Sequence, residues 1–332
     1  MKIFISIASY RDPLLLETLC SAYTNARNKD DLVFGVCEQT DNGINVEALE
    51  FKHQVKYELL DPVIAKGPCW ARARIQSFFA NEDYFLQVDS HTIFIKDWDH
   101  ILIQHHAWLE NNLDNSFVIT GYPRAFKPNN DLTSFQLDTS SKVTWGVTLE
   151  EERIFEDGHY SFQRAFPSQA NVPIKGLLIA AGFIFSKGQF VKDLPYDQKF
   201  YFHGEELSLA LRLFTNNWDV VYIPETPLFH FYTDVTKLPR KLHWNEEDES
   251  NRVIKWTELD RKSKLRLSDL ISNKLDSPFG LGSQRTVEKF AAQMGIDFLD
   301  RKVLDIDLAT KSLAFTEIDS NKTPFHKIKL DS

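Results

Sequence analysis

Cysteine is scarce in this chain. Only Cys20, Cys37 and Cys69 occur in 332 residues, an odd number without metal-type spacing, which argues against a disulfide framework and reads as reduced thiols of a cytoplasmic protein. Basic charge is also in deficit, with 38 Lys plus Arg against 47 Asp plus Glu and a balance of -9. Diffuse attraction to nucleic acid or anionic lipid is therefore not expected, and any polyanion has to be held locally. No apolar run approaches the roughly 20 residues that span a bilayer. The opening stretch MKIFISIASYRDP meets Arg11 and Asp12 before any small-residue cleavage site, so it reads as a first core strand rather than a signal peptide. Internal repeats and low-complexity tracts are missing. What the chain does contain is 43% hydrophobic and 26% charged residues, ordinary globular values that oppose disorder or a coiled-coil rod. Its 26 Phe, 10 Tyr and 7 Trp supply large apolar faces for a core, or for flat ligands such as bases and sugar rings. At about 150 residues per domain, the length fits one large domain or one domain with a substantial appendage.

The first third alternates strand-like and helix-like patterns, the mark of a mainly parallel, Rossmann-like α/β sheet with helices on both faces. Strands are expected at residues 3–9, 32–37, 55–60 and 84–88. Asp12 and Pro13 cap a helix carrying Leu15, Leu16, Leu19 and Tyr23, and Pro68 opens another through Arg72 and Gln76. Trp98, Ile101, Leu102, His105 and Leu109 line a further helical face before a strand at 117–121. Residues 123–173 are polar, aromatic-rich and without clear period, too long for a simple connection and suited to a lid or binding loop. An apolar run at 176–185, a helix at 205–214 and a strand at 220–223 follow. Residues 238–249 read as a charged loop, 253–275 and 285–294 as helices separated by a glycine break at 280–282, and the last thirty or so as a small hairpin or frayed tail. The expected division is a catalytic domain over 1–248 and a C-terminal helical extension over 249–332.

Sheets of this kind bind ligands beyond the carboxyl ends of their strands. That directs attention to Ser9, Tyr10, Arg11 and Asp12, to Glu38 and Gln39, and to Asp89, Ser90 and His91. In extended backbone, residues two apart point the same way, so Asp89 and His91 can share one divalent ion and leave positions for phosphate oxygens. A mixed oxygen and nitrogen pair suits Mn²⁺ better than Mg²⁺. By itself the triplet is equally an Asp capping a turn beside an unrelated His. GPCWARAR places Arg72 and Arg74 on a helix after a glycine turn, where guanidinium groups can reach a diphosphate or form an ordinary charged face. In FHGEELSLALR, Glu205 and Glu206 start a helix behind Gly204, a position that the helix dipole also favours for plain capping. His230, on the aromatic-rich segment PETPLFHFY, is a ligand or a structural histidine.

The order of SIASYRDP, GPCWARAR, LQVDSHTIF with DWD close behind, ITGYP, AAGFIFSKGQF and FHGEELSLALRL resembles the GT-A-type N-acetylglucosaminyltransferases related to the eukaryotic cytoplasmic enzyme that glycosylates hydroxyproline on a ubiquitin-ligase adaptor. FGLGSQRTVEKFAAQMGIDF resembles that family's C-terminal segment, so the likeness covers roughly residues 1–300. DSH, the glycine-containing strand and the HGEE helix are more distantly similar to the polypeptide N-acetylgalactosaminyltransferases, whose lectin domain has no counterpart here. The resemblance implies a GT-A fold, a UDP-GlcNAc donor, a retaining reaction and a bound Mn²⁺ or other divalent cation. It implies Asp89 and His91 as metal ligands in place of the commoner DxD, with His230 as the third. Ser9, Tyr10 and Arg11 would lie against the uridine and diphosphate, helped by Arg72 or Arg74. Gly182 would admit the sugar, and Glu205 would bond sugar hydroxyls or the acceptor. Glu206 stands where the mucin-type enzymes have Asn.

In such a reaction negative charge builds on the diphosphate and positive charge on the anomeric carbon, so a cation and arginines are expected to supply most of the rate. No carboxylate is nominated as a covalent nucleophile, which favours front-face attack with the leaving phosphate oxygen taking the acceptor's proton. Two other classes compete. A nucleotidyltransferase would need a glycine-rich triphosphate loop, and ASYRDP has no glycine. A catalytically silent sugar-binding module would be marked by loss of a metal ligand, and all three candidates are present. The acceptor is a glycan or protein hydroxyl, and the chain reads as either a whole protein or one module of a larger glycan-assembly enzyme. Trp145, Phe155, Tyr160, Phe162 and Phe166 form either an acceptor wall or a satellite core. Lys237, Arg240, Lys241, His243 and Trp244 form either a lid over the diphosphate or a solvated loop.

Overall fold

Ile3, Phe4, Ile5 and Ile7 are all buried although they alternate sides: Phe4 joins one hydrophobic cluster, and Ile3, Ile5 and Ile7 join another. A strand buried on both faces belongs inside a sheet covered on each side by helices. The computed structural model describes residues 1–128, 134–138, 143–169, 171–232 and 241–318, and places this strand there. In chain order the elements are β1 (Ile3–Tyr10), α1 (Leu15–Asn25), β2 (Leu32–Gln39), β3 (Val55–Leu60), α2 (Pro68–Gln76), β4 (Tyr84–Asp89), β5 (Thr92–Phe94), α3 (Trp98–Glu110) and β6 (Phe117–Thr120). Then follow β7 (Arg124–Pro128), β8 (Phe135–Leu137), β9 (Trp145–Leu149), β10 (Gln163–Pro167), β11 (Ile174–Gly176), β12 (Phe183–Lys187), α4 (Gln189–Asp193) and α5 (Glu205–Thr215). β13 (Asp219–Tyr222), β14 (Leu228–His230), α6 (Glu246–Glu249), α7 (Trp256–Ile271) and α8 (Val287–Gln293) complete the main set.

The large sheet runs in the order Thr316–Glu317, β11, β13, β6, β12, β4, β1, β2, β3. Strands β3, β2, β1 and β4 are mutually parallel, whereas β12 lies antiparallel between β4 and β6. Helices α1 and α3 bury Leu15, Leu19, Leu102 and Leu109 against one face. The other face carries Ala71 and Ile75 of α2, Phe190 of α4 and Leu209 and Leu213 of α5. Leu267 and Leu270 of α7 and Phe290 of α8 belong to this same cluster, so residues beyond 249 share the core of those before them.

Two stretches differ from their sequence pattern. The apolar run at 176–185 is interrupted: β11 ends at Gly176, Leu177–Gly182 forms a buried turn with Phe183 N–H donating to Ala180 O at 3.1 Å, and β12 begins at Phe183. Apolar character there reflects burial, not regular structure. Residues 123–173, without period in the sequence, contain β7 to β10 in two small sheets. The helix expected over 253–275 spans Trp256–Ile271. The hairpin Ile296–Asp297 with Lys302–Val303 ends where the last thirty or so residues begin, and the described part of those holds a short helix, Ile306–Thr310, and the edge strand Thr316–Glu317 in place of the expected hairpin. Residues 319–332 lie outside the described residues.

The register aligns the strand ends that matter. Ser9 pairs with Glu38, Tyr10 with Gln39, and Ala8 with Asp89. A second sheet, β5-β14-β7-β8, crosses this edge; Thr92 pairs with His230, and Phe231 N–H donates to His91 O at 3.0 Å. No helix among the described residues is long and apolar enough to cross a membrane.

Candidate active site

Asp89 ends β4, His91 stands in the turn before β5, and His230 ends β14. Their ligand atoms lie within 4.8 Å of one another. Asp89 Oδ2 is 3.1 Å from His230 Nε2 and 3.8 Å from His91 Nε2. Behind them, the Asp12 carboxylate accepts from His91 Nδ1–H at 2.7 Å and from the Ser90 hydroxyl at 2.8 Å. That bond fixes the imidazole tautomer so that Nε2 presents its lone pair toward Asp89, the carboxylate–histidine arrangement that orients metal ligands. Gly182, in the turn just before β12, closes the cluster: a Cβ there would lie 2.8 Å from Asp89 Oδ2 and 3.8 Å from His230 Nε2.

These donors fit a divalent cation. One carboxylate oxygen and two imidazole nitrogens converge, one histidine is already set by a carboxylate, and the glycine keeps the space in front of the carboxylate clear. A mixed donor set of this kind suits Mn²⁺ and its first-row neighbours better than Mg²⁺.

Arg72 is buried under the cluster at 4% exposure. Its guanidinium donates to Asp89 Oδ1 at 2.8 Å and, through the other nitrogen, to Glu205. Burial works to raise the Asp89 pKa, but the His230 hydrogen bond and the positive charge of Arg72 outweigh it and hold the group well below the usual carboxylate range. Arg72 reaches this place because Gly67 at φ 92° turns the chain into α2, where a side chain would strike the Tyr201 ring. Arg74 lies on the same helix and faces the other way, pairing with Glu58 through a 2.8 Å bond from Nε. The structure thus brings Arg72, and not Arg74, to the cluster.

Glu205 and Glu206 open α5 behind Gly204. Glu206 accepts from Ala181 N–H at 2.8 Å, next to Gly182. Desolvation, reinforced by the charges of Glu205 and Asp89 and opposed by the Ala181 bond and Arg72, pushes its pKa up to about 7. Near neutral pH this group can therefore either donate or accept a hydrogen bond.

At the far end of the edge, Tyr10 and Arg11 are held by the chain that follows residue 241. The Tyr10 hydroxyl donates to Asp248 at 2.5 Å, and Arg11 donates to both Asp248 oxygens, at 2.6 and 2.7 Å, and to Asp41. Arg252 is buried and donates to the Tyr10 oxygen, to His243 O and to Pro62 O. Burial first, then the bond to Asp248, pushes the Tyr10 pKa up to about 12. Glu38 accepts from Tyr57 and from Ile44 N–H, and the Gln39 amide donates to Ser9 O. Both residues brace this edge.

The residues considered as a lid divide. Lys237 and Arg240 lie outside the described residues. Lys241 pairs with Glu247, His243 is buried between Tyr201 and Ala65 O, and Trp244 packs edge-on against Phe202. Of the aromatic insert, Phe155 packs on Phe298 and Phe166 lies beneath Arg164, whereas Tyr160 and Phe162 turn toward His203. Asp248 and Arg252 are the site-edge residues that the sequence did not mark, and Asp12, marked only as a strand-end residue, proves to hold His91. Asp12 looked like a helix cap, but the N-cap of α1 is Leu14, and Asp12 accepts from Leu14 N–H at 3.0 Å in the turn that leads into the helix.

The model of the glycosyltransferase (GlcNAc) family matches residues 2–48 and 41–300. The chain belongs to this family. No curated protein matches it. Among solved structures, this chain is similar to GalNAc-T7 with UDP, GalNAc and Mn²⁺, at 13% identity and TM-score 0.48, over 92% of this chain and 57% of that one. It is also similar to S. aureus TarS 1-349 with UDP-GlcNAc, at 15% identity and TM-score 0.42, over 81% and 73% of the two chains. The mannosyltransferase PcManGT from Pyrobaculum calidifontis, with GDP-Man and Mn²⁺, shows 10% identity and TM-score 0.45 over 71% and 58%. The chain thus spans little more than half the length of the GalNAc-T7 chain, and its family assignment rests on the family model, which covers the whole site from Ser9 to His230.

Proposed function

We propose that the chain is a GT-A-type, metal-dependent, retaining transferase that moves N-acetylglucosamine from UDP-GlcNAc to a hydroxyl of a glycan or protein. The observation that carries this reading is the convergence of Asp89, His91 and His230 over a buried arginine in a chain of the GlcNAc glycosyltransferase family. Asp89 Oδ2 and the Nε2 atoms of His91 and His230 would hold Mn²⁺ or a similar cation, with Asp12 steering His91. When bound, such a cation supplies positive charge against the diphosphate oxygens of the donor. Tyr10 and Arg11, beside Ser9, would receive the uridine and diphosphate once Asp248 gives way, with Glu38 and Gln39 bracing that edge.

Gly182 leaves room for the sugar beside Asp89. Arg72 orients Asp89 and Glu205 together, and Glu206 faces the sugar or acceptor with a proton it can keep or release near neutral pH. Glu205 is committed to Arg72 and Glu206 to Ala181 N–H, which supports front-face attack with the leaving phosphate oxygen accepting the acceptor's proton. Three free thiols, two of them buried, support a cytoplasmic setting. Residues 1–248 would form the catalytic part and 249–332 an extension packed on it.

Turnover of UDP-GlcNAc with Mn²⁺, followed by NMR of the anomeric proton of the product, tests this reading. Retained α-configuration in wild type and at least about a thousandfold loss in Asp89→Asn are expected, since charge stabilisation by a bound cation is worth several kcal/mol. Near-normal activity in that variant would remove Asp89 from the site, and an inverted product would end the retaining mechanism.

A further inference from the structure

His203 immediately precedes the Gly204–Glu205–Glu206 segment, and the mechanism above gives it no task. Its Nδ1–H donates to Asp260 Oδ1 at 2.7 Å, and the other oxygen of Asp260 is held by Lys264 at 2.6 Å. Asp260 stands on α7, and the same helix fixes the backbone around His203: the Ser263 hydroxyl donates to His203 O and accepts from Tyr201 N–H at 3.0 Å. A carboxylate bonded to Nδ1–H leaves Nε2 as a directed lone pair, the orienting device used in catalytic His–Asp pairs. No hydrogen bond from a described residue reaches that Nε2, and the side chain is 24% exposed.

The surroundings of His203 are aromatic. Its ring centroid is 4.8 Å from that of Tyr160, 5.5 Å from Phe162 and 5.8 Å from Phe202, which in turn meets Trp244. Tyr160 and Tyr122 both feel the charge of Glu206, and Tyr232 packs on His230 at 4.5 Å. The half-buried and exposed rings therefore lead from Trp244 and Phe202, past His203, to Glu206 and the metal cluster. Along this path the polar groups are two acceptors, the His203 Nε2 and the Glu206 carboxylate, and one cationic donor, Arg153, whose guanidinium covers the Phe162 ring at 3.0 Å, among flat apolar faces and phenol hydroxyls. A pyranose ring matches that set: its C–H faces lie on aromatic rings and its hydroxyls donate to the acceptors. An extended peptide would instead ask for paired backbone donors and acceptors, which ring faces do not offer.

We propose that His203, oriented by Asp260, is a positioning residue for the acceptor: its Nε2 accepts a hydrogen bond from a hydroxyl of a sugar ring stacked on the exposed Phe202 and Trp244 rings beside it. The acceptor is then a glycan rather than a protein, and α7 contributes directly to its recognition. The nucleophilic hydroxyl keeps its own proton for the leaving phosphate, while His203 takes a neighbouring hydroxyl of the same ring.

This inference rests on the transferase reading, and the test separates the two. Wild type, His203→Gln and Asp260→Asn are assayed with UDP-GlcNAc and Mn²⁺ against methyl and p-nitrophenyl glycosides of glucose, galactose and N-acetylglucosamine, and against a hydroxyproline peptide, with UDP-GlcNAc affinity measured calorimetrically in parallel. The expected result is transfer to at least one glycoside, an acceptor KM raised about tenfold or more in both variants, and a donor Kd within about twofold of wild type, as for loss of one hydrogen bond to a positioned group. Transfer to the hydroxyproline peptide alone, transfer to none of the probes, or an unchanged acceptor KM in His203→Gln would overturn the inference while donor binding persists. Failure of wild type to bind UDP-GlcNAc would overturn the transferase reading itself.

Discussion

The two ends of the candidate site are built to opposite electrostatic plans. At the metal end, Asp89, Glu205 and Glu206 share one buried guanidinium, Arg72, and the Asp12 carboxylate is held by His91 and Ser90. At the Tyr10 end, Arg11 and Arg252 are matched by Asp41, Asp248 and Glu249. The first end carries surplus negative charge that a divalent cation would relieve. The second is nearer to balance, with two arginines paired to three carboxylates, so a diphosphate arriving there has to displace a carboxylate before it gains an arginine. Cation binding should therefore dominate donor affinity, and the Tyr10 end should adjust it.

The largest way to break this contrast is to remove Arg72. With Arg72→Ala, Asp89 and Glu205 lose their common partner inside the protein, and leaving a buried charge uncompensated typically costs about 3 to 5 kcal/mol. Urea denaturation without metal measures the loss, and Mn²⁺ should restore part of it by holding Asp89. A loss below about 1 kcal/mol would mean that the pair is not buried as described.

Asp12→Asn should come next. It touches no donor atom yet releases the His91 tautomer, and loss of such an orienting partner weakens metal affinity about 10- to 100-fold. Titration of Mn²⁺ followed by its paramagnetic resonance signal reads this directly. Unchanged affinity would show that Asp12 serves only the turn into α1.

Glu206 gives a smaller and pH-dependent effect. Its pKa is raised in the folded protein from 4.5 to about 7, so between those values the folded state keeps a proton that the unfolded state has released. Its contribution is full below the lower value and is lost as pH rises through the upper one. Metal-free Glu206→Gln should therefore gain on wild type between pH 5 and pH 8 in parallel denaturation curves. Parallel pH dependence of the two proteins would place the Glu206 pKa back in the ordinary range.

The smallest effect is expected at the Tyr10 end. Asp248→Asn leaves Arg11 with only Asp41, and UDP should bind about threefold more tightly, the scale of a partly exposed ion pair. Weaker binding would mean that Asp248 orders Tyr10 and Arg11 for the ligand rather than competing with it.

Much of the metal end was legible in the sequence because it follows from strand ends. β1, β2 and β4 stop where the apolar runs stop, and the parallel register then sets Ser9, Glu38 and Asp89 along one edge. Asp89 and His91 share a side because they are two residues apart, and the motif order supplied His230. The choice between Arg72 and Arg74 was also open to geometry, since two residues apart on a helix point to nearly opposite faces. The Tyr10 end was not legible. Asp248 and Arg252 lie more than 200 positions away in an acidic stretch, and nothing local distinguishes the one carboxylate that folds onto Arg11 from its solvated neighbours. Asp260 was hidden in the same way, on an amphipathic helix whose pattern reports the face toward the core and not the one residue that meets His203.

The account turns on whether the Asp89, His91 and His230 cluster holds a cation that the donor requires. Calorimetric titration of the full chain with UDP-GlcNAc, in Mn²⁺ and in EDTA, for wild type and Asp89→Asn, tests this most directly. Binding by wild type in Mn²⁺ that falls at least about tenfold in EDTA, with Asp89→Asn weak in both, is the predicted result. Equal UDP-GlcNAc affinity with and without metal, in a wild-type protein shown to be folded, would contradict it.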